Sequence, residues 1–463
     1  MNFVSCTKWI KKGVARAIPE KVQLTSQELR DVCTASTGDI IEEDDEEIDE
    51  PEDDEEIDEP EDQYEFETYD DDKDNIKSTF GIESLVTLDK GIGEDDIDSE
   101  EEDDIIKPDD NLIVVGHIEE DASVLEVYVY NENTQDMYVH HDILLPYVPL
   151  CLEWFNFDPS HPNPGNLVAV GGITPEITVW DLDIVNCLEP AFKLGKYSKK
   201  SGKNSGKKII GHTDAVLDIS WNENAPHILG SASVDKSVIV WDLEEGKEAL
   251  HFKEFNDKVQ CLKWHHLETE TFLSGCSDKY VRMFDCRQEP VTTSWNVNGE
   301  VESLSWNPSS HSNSSWEAFV GTDNGTIHCI ETRMNRFKWQ MPAHNKEITS
   351  LAVHPKNVNT LVTCSTDGFV KMWDISKTNP TLISSKCLHA GELHCLDLNP
   401  DYPHIGCVGG SKKSKVFSVI DLLKISSDQE KNHLPTQGKS SSETKTTSGF
   451  IKRHNFKSRC SFC

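Results

Sequence analysis

The chain has 463 residues, 83 acidic and 44 basic, a net charge of −39 with histidines neutral. The charge is concentrated: residues 39–104 hold 35 Asp or Glu against Lys73, Lys77 and Lys90, a net of −32, leaving a near-neutral remainder. No apolar run approaches the roughly 18–20 residues of a membrane span, and the N-terminus M-N-F-V-S-C-T-K-W lacks the apolar core and cleavage site of a secretory signal. The 14 cysteines are scattered, with one C-x-x-C at Cys460–Cys463, which fits thiols in a reducing compartment rather than a disulfide scaffold.

In chain order, the first expected element is a short strand, V-S-C-T-K-W at Val4–Trp9. Residues 11–104 read as an acidic disordered insertion that cannot bury enough apolar area to offset its ordering entropy. Within it, T-S-Q-E at Thr25–Glu28 resembles a capping box and predicts a short helix near residues 26–33. From residue 105 to 424 a repeat takes over. The opening pattern recurs as P-L-C-L-E-W ending at Trp154, V-L-D-I-S-W at Trp221, V-Q-C-L-K-W at Trp264 and V-E-S-L-S-W at Trp306. Worn copies end at Val353 and Leu398. A second beat follows it: alternating strands end at Tyr130–Asn131, Trp180–Asp181, Trp241–Asp242, Phe284–Asp285, Ile330–Glu331, Trp373–Asp374 and Ile420–Asp421. Small-residue strands such as L-V-A-V-G-G and I-L-G-S-A-S precede most of these, and their Gly, Ala and Ser are expected to relieve crowding near a narrow axis.

Steps of 42–47 residues between Trp221 and Leu398, each with several short strands and a W-D ending, are the signature of a WD-repeat blade. Seven of each pattern predict an all-β, seven-bladed β-propeller. Residues 1–10 would supply the inner strand of blade 1, separated from its partners by the acidic insertion. Residues 425–463 read as a disordered tail rich in Ser, Thr and Lys.

Gly211–His212, Ser231 or Ser233, Asp235 and Trp241 superficially suggest a Ser-His-Asp catalytic set. The same spacing recurs at His344, Thr363 or Ser365, Asp367 and Trp373, and a catalytic set needs no duplicate. Both are expected to be structural tetrads, hydrogen-bond chains that lock a blade's strands together. No Walker-A loop, H-E-x-x-H or G-x-S-x-G motif occurs, so neither an enzyme nor a cofactor or metal is expected. His140–His141 and His265–His266 lack further ligands at metal spacing.

The candidate binding features lie outside the blades. Residues 193–208 carry seven lysines and no acid, with Lys199, Lys200, Lys203, Lys207 and Lys208 as the core of a basic patch suited to nuclear import or to RNA or DNA phosphates. Lys412, Lys413 and Lys415 form a smaller cluster, and K-R-H-N-F-K-S-R at Lys452–Arg459 closes the tail. The acidic run suits basic partners such as histones or ribosomal and pre-ribosomal proteins. Ser99 before E-E-E-D and Thr68 before Y-D-D-D fit acid-directed phosphorylation of the casein kinase 2 type.

Beyond the generic repeat, F-V-S-C-T-K-W-I-K-K-G-V-A, I-K-P-D-D-N-L-I-V-V-G-H, Y-V-H-H-D-I-L-L and V-W-D-L-D-I-V-N-C-L-E-P resemble the periodic tryptophan protein 1 family, from residue 1 to about 425. The resemblance implies a nuclear and nucleolar, non-catalytic scaffold linked to ribosome production, ribosomal RNA transcription and chromatin, a monomer within larger complexes. A competing reading is a substrate receptor of a cullin-4 ubiquitin ligase, because F-D-C-R at Phe284–Arg287 and I-E-T-R at Ile330–Arg333 resemble W-D-x-R blade endings.

Overall fold

The computed structural model describes residues 2–22, 105–120, 122–195, 210–288, 293–311 and 314–425. The helix expected near 26–33, Thr68, Ser99, Lys199, Lys200, Lys203, Lys207, Lys208 and the tail from residue 426 lie outside them.

The described strands form a seven-bladed β-propeller. Blade 1 consists, from the axis outward, of Asn2–Ile10, Asn111–Glu119, Ala122–Asn131 and Asp136–Leu145. Blade 2 is Pro149–Phe155, Leu167–Gly172, Ile177–Asp181 and Phe192–Leu194. Blade 3 is Val216–Trp221, Ile228–Ser233, Val238–Asp242 and Lys247–Phe252. Blade 4 is Val259–Trp264, Thr271–Cys276, Tyr280–Asp285 and Thr293–Asn296. Blade 5 is Val301–Trp306, Glu317–Thr322, Thr326–Glu331 and Arg336–Pro342, and blade 6 is Ser350–Val353, Thr360–Cys364, Phe369–Asp374 and Thr381–Cys387. In blade 7 the described residues contribute three strands, Leu393–Leu398, Ile405–Gly410 and Phe417–Asp421.

The first strands carry the V-x-C-L-x-W pattern, whose alternation is imperfect for a reason the pairing reveals. In six of the seven, the register shifts between the first and third residues, as between Val4 and Cys6 or Val259 and Cys261. The bulge inserts one residue, so the inward phase changes midway along the strand. The small residues lie on the second strands, and blade-on-blade contact rather than crowding at the axis demands them. A Cβ on Gly171 would lie 2.6 Å from Cys151 Sγ and 2.8 Å from Val216 Cγ1, the latter on the next blade. A Cβ on Gly409 of blade 7 would meet Val4 of blade 1 at 2.5 Å, the same arrangement across the ring closure.

That closure depends on the N-terminal strand. Cys6 pairs opposite Gly116 and Trp9 opposite Ile113. Val4, Trp9, Ile113 and Val115 then share a core with Ile405 and Cys407 of blade 7. Trp9 N–H donates to Asp397 Oδ2 at 2.8 Å, adding a polar tie to this hydrophobic seam.

Candidate functional site

In blade 3 a continuous chain of donors runs inward from the loop. His212 Nδ1 donates to Asp235 Oδ2 at 3.0 Å, Ser231 Oγ donates to His212 Nε2 at 2.7 Å, and Trp241 Nε1 donates to Ser231 Oγ at 2.8 Å. Asp235 also accepts from Thr213 N at 2.9 Å and Ser237 Oγ at 2.5 Å. Burial pushes the Asp235 carboxyl up, but the hydrogen bonds it accepts from His212, Ser237 and Thr213 hold it well below the usual range. Blade 6 repeats the chain through Asp367, His344, Thr363 and Trp373, at 3.0, 2.9 and 3.1 Å. Of the alternatives open in the sequence, Ser231 and Thr363 join the chains, whereas Ser233 and Ser365 accept the backbone N–H of Asp235 and Asp367. Each serine or threonine hydroxyl in the chain is fully buried and engaged by both tryptophan and histidine. This arrangement binds strands and loop together.

Two substitutes for the tetrad escaped sequence reasoning. In blade 4, Asp278 occupies the carboxylate position and is met by Arg282 through two hydrogen bonds of 3.0 and 2.5 Å, both side chains largely buried. In blade 2, Thr178 accepts from Trp180 Nε1 at 2.8 Å and pairs with the Tyr147 hydroxyl. The six-residue step from aspartate to the blade-ending aromatic, shared by Asp235–Trp241, Asp278–Phe284 and Asp367–Trp373, was the available signal for the first. A third polar device lines the axis. Glu153 accepts from Trp221 N at 3.2 Å and pairs with Lys8 at 2.6 Å, while Asp218 accepts from Leu262 N at 2.8 Å and pairs with Lys263 at 3.3 Å. Each carboxylate thereby stitches its first strand to the next blade's backbone.

The two charged segments attach at opposite ends of the strands. In a four-stranded antiparallel blade, connections from first to second and third to fourth strand share one face. The acidic segment belongs to the first-to-second connection of blade 1. The lysine run is the fourth-to-first connection between blades 2 and 3, on the other face. Lys193 itself belongs to the outer strand of blade 2, so the connection begins at Gly195 and the ring resumes at Ile210.

The ring also claims the start of the expected insertion, residues 11–22. Lys12 N donates to Asp401 Oδ2 at 3.0 Å, Arg16 N to Asp183 Oδ1 at 3.1 Å, and Glu20–Lys21 pairs in parallel with Ile184–Val185 of blade 2. On the return, Ile106 N donates to Ala17 O at 2.9 Å and the Ile106 side chain is buried. The acidic segment therefore leaves the ring after Val22 and rejoins it at Ile105 beside this strap.

The WD domain, G-beta repeat, matches residues 203–242 and 335–374, the stretches that contain the two complete tetrads. Over 449 residues, 92% of this chain and 96% of the other, the sequence is 38% identical to the periodic tryptophan protein 1 homolog of Drosophila melanogaster. The chain belongs to the periodic tryptophan protein 1 family. Periodic tryptophan protein 1 of Saccharomyces cerevisiae is 27% identical over 69% of this chain and 64% of its own length. A histone acetyltransferase type B subunit 2 from Debaryomyces hansenii is 29% identical over 42% of this chain and 51% of its own. Among solved structures, a chain of the mitotic checkpoint complex superposes with a TM-score of 0.51 at 17% identity, over 66% of this chain and 83% of its own, a likeness of fold.

In this family member the remaining candidates are occupied locally. Arg287 forms an ion pair with Asp285 at 2.8 Å, and the Arg333 guanidinium lies 4.5 Å from the Trp316 ring centre. His265 is built into blade 4: its Nδ1 accepts from Leu267 and Glu268 N–H at 3.1 and 3.0 Å, and its Nε2 donates to Ser315 O. His140 and His141 face each other through Nδ1 atoms 2.9 Å apart. Among the described residues no group of three or more His, Cys, Asp or Glu side chains converges as a metal site.

Proposed function

We propose that this protein is a non-catalytic nuclear and nucleolar scaffold in ribosome biogenesis, with further contacts to ribosomal RNA transcription and chromatin. The carrying observation is the attachment of the acidic and lysine-rich segments to opposite faces of one closed ring. A polyanion suits basic histones or ribosomal and pre-ribosomal proteins, and a lysine run suits RNA or DNA phosphates. Membership of the periodic tryptophan protein 1 family supports the ribosomal pathway, and the partial likeness to a histone acetyltransferase subunit supports the histone reading. Ser99 and Thr68, as phosphorylation sites, would deepen the negative charge.

Tagged protein in which Lys199, Lys200, Lys203, Lys207 and Lys208 are changed to Ala should lose nucleolar enrichment. Unchanged distribution would remove the basic patch from the proposal. Affinity purification should recover basic ribosomal proteins or histones in a manner that depends on residues 39–104. Recovery of a cullin-4 adaptor instead, abolished by Arg287→Ala with Arg333→Ala, would favour the ligase-receptor reading.

A further inference from the structure

Second-to-third and fourth-to-first connections share the face to which the lysine run attaches, and at blades 6 and 7 they are laced into one corner. Ser411 N and Lys412 N both donate to Ala390 O, at 3.0 and 2.9 Å, and Gly410 N donates to Val416 O at 2.7 Å. Ser411 Oγ accepts the Glu392 N–H at 3.0 Å, and Lys415 N closes the turn S-K-K-S-K onto Lys412 O at 2.7 Å. The turn therefore holds the exposed Lys412, Lys413 and Lys415 on an anchored backbone. Lys415 Nζ reaches Leu388 O at 3.2 Å, which brings its charge onto the connection leaving blade 6. Lys386, exposed on the outer strand of blade 6, pairs opposite Val370, a member of the core between blades 6 and 7, so it stands on the blade 7 side.

Among the described residues, the carboxylates on the flanking connections are already met. Glu392 pairs with Lys346 at 2.9 Å, Asp367 accepts from His344 at 3.0 Å and Glu119 accepts from Asn2 Nδ2 at 2.9 Å. Glu120 lies 3.9 Å from Lys413, but both side chains are more than three-quarters exposed, so water screens the pair. Two rings stand beside the lysines. Phe369 is 37% exposed, and its N–H donates to Asp367 Oδ1 at 3.0 Å, so the tetrad's aspartate anchors the start of its strand. Phe369 pairs opposite Cys387, whose Sγ lies 3.6 Å from Nδ1 of the exposed His389.

We propose that this corner of the ring, where Lys386, Lys412, Lys413 and Lys415 border the Phe369 and His389 rings, binds single-stranded nucleic acid. Lysines on an anchored turn meet phosphates with little further loss of backbone freedom, and each neutralised phosphate releases counterions. Every base has a π-face, so an exposed phenyl ring beside the cations supplies stacking that an acidic peptide does not use. The bases must be unpaired to reach that ring, which favours a single strand over a duplex. This site goes beyond the function proposed above: it is separate from the lysine run, which the fold attaches between blades 2 and 3.

Fluorescence anisotropy of a labelled oligouridine strand tests the assignment, using the full chain with Lys199, Lys200, Lys203, Lys207 and Lys208 changed to Ala. Binding should persist in that background. Adding Lys412→Ala, Lys413→Ala and Lys415→Ala should weaken it about tenfold or more and flatten the plot of log affinity against log salt by about 2, at about 0.7 per lost phosphate contact. Lys412→Arg, Lys413→Arg and Lys415→Arg should preserve both. Phe369→Ala should weaken binding about tenfold with the salt slope unchanged, because it removes stacking and no charge. All these side chains are exposed, so an unchanged thermal midpoint should accompany each variant. Loss of all binding in the lysine-run background would overturn the proposal and leave the basic-patch reading standing. Unchanged binding after the three Lys→Ala changes would also overturn it, as would competition by an acidic phosphopeptide or duplex RNA as effective as that of the unlabelled strand.

Discussion

At the residue scale, the ring is held by side chains whose ionisation is set by burial. Asp235 accepts from His212, Ser237 and Thr213, so Asp235→Ala leaves several buried donors unpaired and should destabilise the protein by about 2–3 kcal/mol, read as a lower thermal midpoint. Because this carboxyl is held below its usual range, its contribution is complete above pH about 4 and is lost as the solution becomes more acidic. The buried histidines act earlier. Burial, with a neighbouring imidazole, pushes His141 down to about 3 and His265 down to about 4. Unfolded imidazoles take up protons from about pH 6.5 downward, whereas these two resist until far lower, so stability falls with pH through that window. The expected slope is about 1.4 kcal/mol per pH unit for each group. Protonating His265 at Nδ1 would also eject the Leu267 and Glu268 donors. Thermal unfolding from pH 7 to 5 should show a falling midpoint, and His265→Asn should flatten the fall although it weakens the protein at pH 7. A flat profile in the parent would contradict this account.

Among elements, the first strand of blade 1 has the largest leverage because it joins the two ends of the ring. Trp9 is 3% exposed and packs edge-on against Tyr130. Trp9→Ala should cost about 3–5 kcal/mol. Deleting residues 1–10 should open the ring between blades 7 and 2 and expose a strand edge, seen as loss of cooperative unfolding and concentration-dependent aggregation. The second strands set blade spacing. Gly171→Ala places a methyl group against Cys151 and Val216, and overpacking of this kind costs about 1–3 kcal/mol. A small effect would mean that neighbouring blades separate easily at this seam. The repeated Cys–Gly pairs, Cys6–Gly116, Cys151–Gly171, Cys261–Gly275 and Cys395–Gly409, give the scattered cysteines a packing role. Burial pushes the Cys6 and Cys395 thiols up to about 12, consistent with inert packing groups.

For the whole molecule, the ring and its charged segments should be separable. Replacing residues 39–104 with a short linker should leave the thermal midpoint nearly unchanged, because the strap through residues 11–22 and the return at Ile105–Lys107 remain. A large drop would mean that the acidic segment contributes to ring packing. What the sequence determined by itself was whatever repeats: tryptophans at Trp154, Trp221, Trp264 and Trp306, W-D endings, and a matching first strand at Val4–Trp9. Periodicity is local and survives degeneration because every blade must bury the same faces. The two tetrads were legible for the same reason, since His212 and His344 stand at matching distances from their aspartates and tryptophans. Only the tertiary structure decided between Ser231 and Ser233, or Thr363 and Ser365: the first of each pair meets the histidine and tryptophan, and the second bonds to the turn that follows the strand. It alone revealed the strap, whose partners Asp183 and Asp401 are far away in sequence and carry no pattern. The carboxylates Glu153, Asp218 and Asp397 were likewise hidden. Each bonds to the backbone of the next blade, and a backbone amide leaves no trace in the sequence of side chains.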